Sequence, residues 1–175
     1  MPSTLPSTLP STALRRTSMA LATTALTLAG LAVNAGVANA SGPGDGCDYS
    51  TTVSHAQYLY LGDTYVGRVD LVYSPSCRRT AAHFKGATAW MNTSGASVEL
   101  QVIDHAPDGS TLSLQGDRVS TNAHSDNYSN GVGIDQGYRL FSAVATLSNG
   151  CVIYSDEHNF NTGANSGTSN STYHC

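Results

Sequence analysis

The densest set of reactive side chains in the sequence is Asp156-Glu157-His158, two carboxylates beside an imidazole. Such a trio is able to bind a metal ion or to pass a proton. In a strand, alternation would put Asp156 and His158 on one face. The same residues also suit a solvated strand end after the β-type run Cys151–Tyr154, and that is the reading adopted. Six histidines, at positions 55, 83, 105, 124, 158 and 174, are many for this length. None has the H-E-x-x-H or H-x-H spacing that builds a metal site from neighbours, so such a site would need distant strands. Asp104-His105 and the many serines hold the parts of a Ser-His-Asp triad, but no G-x-S-x-G elbow exposes a serine nucleophile. No catalytic residue, cofactor or metal ligand is assigned on these grounds.

Recognition chemistry has more to work with. Asp126, Asn127, Asn130 and Asp135 lie in the stretch Asn122–Gly137, whose only large apolar residues are Tyr128, Val132 and Ile134. Hard oxygen ligands in a Gly-containing loop suit Ca²⁺, but the spacing fits no EF-hand, and turn chemistry accounts for them. The stretch is expected to form a long exposed loop, the first place to look for a binding surface. The chain also carries nine tyrosines and one tryptophan, Trp90. Some tyrosines alternate inward as core. Tyr58 and Tyr60 share a face and are expected to lie outward, where aromatic rings stack on sugars or anchor a protein. The candidate binding surface is therefore Tyr58, Tyr60, Asp126, Asn127, Tyr128, Asn130 and Asp135.

The elements that must carry these residues are strands. Thr64–Tyr73 alternates, with Tyr65, Val69, Leu71 and Tyr73 on one face and Arg68 and Asp70 on the other. Val53–Leu61 precedes it across a Gly62-Asp63 turn. Ser97–Ile103 puts Val98, Leu100 and Val102 on one face. Tyr138–Leu147 and Cys151–Tyr154 flank Ser148-Asn149-Gly150, a strong hairpin signal. Pro107-Asp108-Gly109 marks another turn, and Thr80–Met91 and Thr111–Val119 complete the strand set. No helical period persists over three turns. The expected fold is all-β, a single small antiparallel sandwich or open barrel.

The chain opens with a polar stretch whose only charges are Arg15 and Arg16. An apolar run, Met19–Val37, follows and ends at Ala38-Asn39-Ala40. That order matches a cleaved signal peptide over residues 1–40, leaving a secreted domain over 41–175. Loss of the two arginines takes the formal charge from −4 to about −6. The six remaining cations are scattered except for Arg78-Arg79, so the basic stripe that nucleic acid demands is missing. No second hydrophobic span follows, so no membrane association is expected after cleavage. The four cysteines, Cys47, Cys77, Cys151 and Cys175, are too far apart for C-x-x-C metal ligation. In an exported chain they predict two disulfides, with three pairings open. Cys175 follows the Gly/Ser/Asn-rich stretch Thr162–Ser171 and is expected to clamp a polar segment, 162–172, that is otherwise flexible.

The run Val66-Gly67-Arg68-Val69-Asp70-Leu71-Val72-Tyr73-Ser74-Pro75-Ser76-Cys77, preceded by Gly46-Cys47, resembles an actinobacterial exported domain of unknown function. The resemblance is limited to about residues 46–84. A tryptophan usual in that family after the second cysteine is replaced here by Arg78-Arg79-Thr80-Ala81-Ala82-His83-Phe84. The resemblance implies a Cys47–Cys77 pair, leaving Cys151 for Cys175, and an actinobacterial source. It brings no catalytic residues. The leading expectation is a secreted, non-enzymatic binding or cell-surface-associated protein, its partner an extracellular protein or cell-wall component. The alternative is a secreted protease inhibitor presenting Ser74–Thr80 or Asn122–Gly137 as its loop. An extracellular enzyme or metal-binding protein comes third.

Overall fold

A computed structural model describes residues 44–93, 95–120, 125–135, 137–167 and 171–175. The expected signal peptide lies outside the described residues, as do His124 and part of the Asn122–Gly137 stretch. The strands are β1 (Thr51–Thr52), β2 (Gln57–Leu61), β3 (Thr64–Ser74) and β4 (Arg79–Gly86). After the short helix α1 (Thr88–Met91) come β5 (Val98–His105), β6 (Thr111–Ser120), β7 (Asp126–Tyr128) and β8 (Val132–Gly133). The chain finishes with β9 (Leu140–Leu147), β10 (Val152–Tyr154), β11 (Glu157–Asn159), β12 (Ala164–Ser166) and β13 (Thr172–His174).

These strands form two open sheets. Sheet A runs β13-β2-β3-β4-β7, with β1 also on β3 and β8 also on β4; sheet B runs β12-β11-β9-β5-β6, with β10 also on β9. The core lies between them. Leu59, Val69, Leu71, Ala82 and Phe84 come from sheet A, and Val98, Leu100, Val102, Phe141, Ala143, Ala145 and Ile153 from sheet B. Trp90 plugs one end, edge-on to Phe84 at 5.1 Å. The β2–β3, β5–β6 and β9–β10 hairpins fall where the turn residues predict them. The all-β sandwich expectation holds, and the disulfides are Cys47–Cys77 and Cys151–Cys175, with Cα atoms 5.9 and 6.1 Å apart. The second joins the β9–β10 hairpin of sheet B to the end of β13 in sheet A.

Four details depart from the sequence reading. Strand β4 stops at Gly86, and Thr88–Met91 is a helical turn that carries Trp90 into the core. The alternation in β3 is broken by a bulge: Leu59 faces Gly67 and Tyr60 faces Tyr65, so Val66 is an extra residue on that strand. Val66 therefore enters the core with Val69, and Tyr65 turns to the outer face with Tyr58 and Tyr60. Gly67 is needed there because a Cβ would fall on the Phe84 ring and 2.7 Å from the Lys85 carbonyl oxygen. Strand β13 pairs parallel to β2, so the sandwich is not wholly antiparallel. The polar 162–172 segment is also structured in part, with Ala164–Ser166 paired to β11.

The described part of the expected Asn122–Gly137 loop contributes two short strands to sheet A. Tyr128, Asn127 and Asp126 pair with His83, Phe84 and Lys85, and Val132 and Gly133 pair with Thr80 and Arg79. Val132 and Ile134 are buried in the core. The segment reads as a loop because its inward positions include the polar residues Asn127 and Ser129, which bury by hydrogen bonding to backbone.

Candidate functional site

The outer face of sheet A gathers side chains in register. Tyr58, Arg68, Lys85 and Asp126 form one row across β2, β3, β4 and β7. Asp70, His83 and Tyr128 form the next. Beyond it, Cys47 and Tyr49 cover Val72 and Ala81. Burial of the Tyr49 phenol and its bond to Asp45 raise its pKa.

The Asp70 row is the electrostatic anchor. Asp70 is fully buried, with His83 Nδ1 at 2.7 Å from one carboxylate oxygen and Arg68 Nε at 3.4 Å from the other. His83 Nε2 lies 3.1 Å from Asp126 Oδ1, and the Tyr128 ring stacks on the imidazole at 4.6 Å. Two carboxylates thus flank the two ring nitrogens. Burial opposes ionisation of Asp126. Hydrogen bonds from His83 and Ser125 and the nearby charges outweigh it and hold its pKa below the usual range. Burial pushes the Tyr128 and Tyr65 phenols up.

Beside this anchor runs a chain of rings. Tyr58 meets Tyr65 at 6.1 Å, Tyr65 meets Tyr60 at 5.4 Å, and Tyr60 stacks on His174 of β13 at 5.4 Å. The three tyrosines are half-buried and His174 is exposed. The Cys175 amide donates to the Tyr60 carbonyl and the Gly62 amide to the Cys175 carbonyl, so β13 is fixed to this edge beside its disulfide.

Of the seven residues expected on a binding surface, Tyr58, Tyr60, Asp126 and Tyr128 share this face. Asn127 does not: one residue along the strand from Asp126, it points inward, is 4 % exposed, and donates to the Phe84 carbonyl. Asn130 is exposed and donates to the Asp117 carbonyl, tying the β7–β8 link to β6. Asp135 pairs with Arg78 at the β3–β4 turn, away from the tyrosines. That pair depresses the Asp135 carboxyl and raises the Arg78 guanidinium. The sequence reading missed Tyr65, Arg68, His83 and His174. A bulge hides Tyr65, and only the parallel docking of β13 brings in His174.

The clusters weighed for catalysis fall elsewhere. Asp156 and His158 are both 8 % exposed, so the solvated strand end is corrected to a buried clasp. Asp156 accepts from Gln57 and pairs with His55, linking sheet B to the start of β2. His158 contacts Asn165 at 2.6 Å. His105 Nε2 is 2.8 Å from Ser142 Oγ, and its Nδ1 is 3.3 Å from the Gly109 carbonyl and 3.8 Å from Glu157. Ser142 is only 2 % exposed, so this set closes the Ala106–Gly109 turn onto β9 and gives no open nucleophile. Asp104 faces the interior, opposite to His105's partners, and its Oδ1 is buried without a hydrogen bond. Burial raises its pKa. Among the described residues, no group of three or more His, Cys, Asp or Glu side chains is placed to hold a metal ion. A cleft of about 290 Å³ at the Trp90 end is lined by residues including Leu61, Val66, Ala96, Leu147 and Asn149.

Of the two segments considered for an inhibitory loop, Ser74–Thr80 contains the tight β3–β4 turn, held by Cys77 and by the Arg78–Asp135 pair, and the described part of 122–137 joins sheet A through two short strands. Among the described residues, no helix is long and apolar enough to cross a membrane. No protein-family model, curated protein or solved structure matches the chain. What fold and surface together define is a disulfide-braced, two-sheet β sandwich with an aromatic and charged outer face.

Proposed function

We propose that the protein is an exported, non-enzymatic binding module that works outside the cell, attached to a cell-surface or other extracellular partner. The observation that carries this reading is the half-exposed ring chain Tyr58–Tyr65–Tyr60–His174 beside the Arg68–Lys85–Asp126 row. Rings held on a rigid sheet lose little conformational freedom on binding, so contact made there is efficient. Two disulfides and a surface poor in charge suit an oxidising compartment. The A-x-A leader supports export with cleavage after Ala40. The Gly-Cys and Tyr-Ser-Pro-x-Cys pattern supports kinship with the actinobacterial exported domain.

The test is recovery of the protein from culture. N-terminal sequencing should begin at Ser41, and the recovered protein should be retained by untreated cell walls or by a protein of the culture supernatant. A chain found intact inside the cell overturns export. A chain that stays wholly in solution against both materials overturns the binding role.

A further inference from the structure

We infer that the outer face of sheet A binds a polysaccharide chain of neutral sugar rings, with Tyr58, Tyr60, Tyr65 and His174 against the sugar faces and Arg68, Lys85 and Asp126 on their hydroxyls. The inference rests on the binding role proposed above and names its ligand class. A sugar ring offers two chemistries at once: faces of C–H groups that pack on aromatic rings, and a rim of hydroxyls that both donate and accept. A matching surface needs rings flanked by fixed donors and fixed acceptors within one side-chain length.

This face has both. The four rings form a continuous run over three adjacent strands, with centroids 5.4 to 6.1 Å apart. The next row places Tyr58, Arg68, Lys85 and Asp126 side by side in register. Arg68 and Lys85 are donors only, and Asp126 is an acceptor. Asp70, fully buried, lies 3.4 Å from the Arg68 Nε and keeps the guanidinium at this face by charge attraction, without a hydrogen bond between those atoms.

The charges decide among ligand classes. Arg68 and Lys85 are matched by Asp70 and Asp126, so the patch has no excess charge to offer a polyanion or a polycation. That balance complements a neutral polyol. Tyrosine and arginine also anchor protein partners, so a protein ligand is the competing outcome that the experiment separates. The rigid fastening of β13 keeps His174 stacked on Tyr60, which lowers the ordering cost of binding.

The experiment is co-sedimentation of the purified protein with three uncharged polysaccharides freed of protein by detergent and protease: chitin, cellulose and curdlan. Untreated cell walls run in parallel. At least one of the three should retain the protein, and Tyr58→Ala and His174→Ala should each weaken retention about tenfold, the effect of one lost ring contact. Tyr154→Ala, on sheet B, should leave retention unchanged. Melting temperatures confirm that the variants are folded. Retention by untreated walls but by none of the three polysaccharides overturns the neutral-glycan inference and leaves the binding role standing on another wall component. Retention that Tyr58→Ala and His174→Ala leave intact in folded protein also overturns it, by moving the site off this face. Retention by none of the four materials overturns the glycan inference too. The binding role then stands or falls on the supernatant capture described above.

Discussion

The two outer faces of the sandwich solve the same problem in opposite ways. On sheet A, a carboxylate with no exposure sits beneath a protonatable ring, an arginine and a second carboxylate, and tyrosines flank the set. On sheet B, the register aligns Leu114 with Ile103, Val144 with Tyr154, and Val152 with Thr146, and the exposed members are simple hydrophobic or hydroxyl side chains. Sheet A thus invests its outer face in a polar network in which each member depends on its neighbours. Sheet B confines such coupling to one end of its face, where His105 meets Ser142 and Glu157, and leaves the Leu114, Val119 and Val152 region as independent residues. Coupled polar groups are costly to break and fix geometry, whereas scattered surface side chains are nearly interchangeable. The comparison therefore separates a face built for positioning from one that tolerates change.

The largest test of that contrast is His83→Ala. It leaves a buried Asp70 oxygen without its hydrogen bond, and should cost about 3 kcal/mol. Pairing it with Asp70→Asn should restore much of the loss in thermal unfolding. An unchanged melting temperature for the single variant would show that the row does not bear on stability. Next is the double substitution Cys151→Ala with Cys175→Ala. Opening this loop should cost about 3 kcal/mol by freeing the unfolded chain. Hydrogen exchange should quicken at the Tyr58 and Gly62 amides, which donate to the Ser171 and Cys175 carbonyls, while the amides of β9 and β5 keep their relative protection.

A smaller effect, of opposite sign, is expected from Asp104→Asn. The wild-type carboxyl has a folded pKa raised by burial, so its charged form is penalised only in the native state. The penalty is absent below the unfolded value of about 3.9, grows as pH rises through the folded pKa, and is complete above it. The variant should therefore gain about 1 kcal/mol at neutral pH and nothing at strongly acid pH. A gain of equal size at both pH values would show that charge is not its cause. The smallest effect belongs to sheet B: Leu114→Lys and Val152→Thr should each change stability by less than about 0.5 kcal/mol. A loss comparable to that of His83→Ala would erase the distinction between the faces.

How far the fold could be read in advance depended on whether a strand's pattern was set by burial alone. Strand β5 was legible because Val98, Leu100 and Val102 alternate cleanly into the core, and the β9–β10 hairpin because Asn149-Gly150 separates two apolar runs. The pattern misleads wherever a second influence acts. A bulge at Val66 reverses the phase of Tyr65. Asn127 and Ser129 are buried through backbone hydrogen bonds, so β7 looks like a polar loop. All three residues of β13 are exposed, so no hydrophobic period marks it. The surface was legible at Tyr58, Tyr60, Asp126 and Tyr128. His83 and Arg68 escaped because their significance lies in partners on neighbouring strands, and a single sequence does not pair strands.

The docking of β13 also closes a margin of sheet A. Strand β2 pairs with β3 on one side and with β13 on the other, and its β13 partners lie more than a hundred residues further along the chain. Before residues 171–175 arrive, the Tyr58 amide and the Tyr60 carbonyl stand open on a sheet margin rich in tyrosine, the kind of margin that recruits strands from other molecules. A chain made to end ahead of Ser171 should lack this strand and become self-associating. The few residues of the C-terminal strand thus serve as a selvedge, the woven border that keeps the cloth from catching on its neighbour.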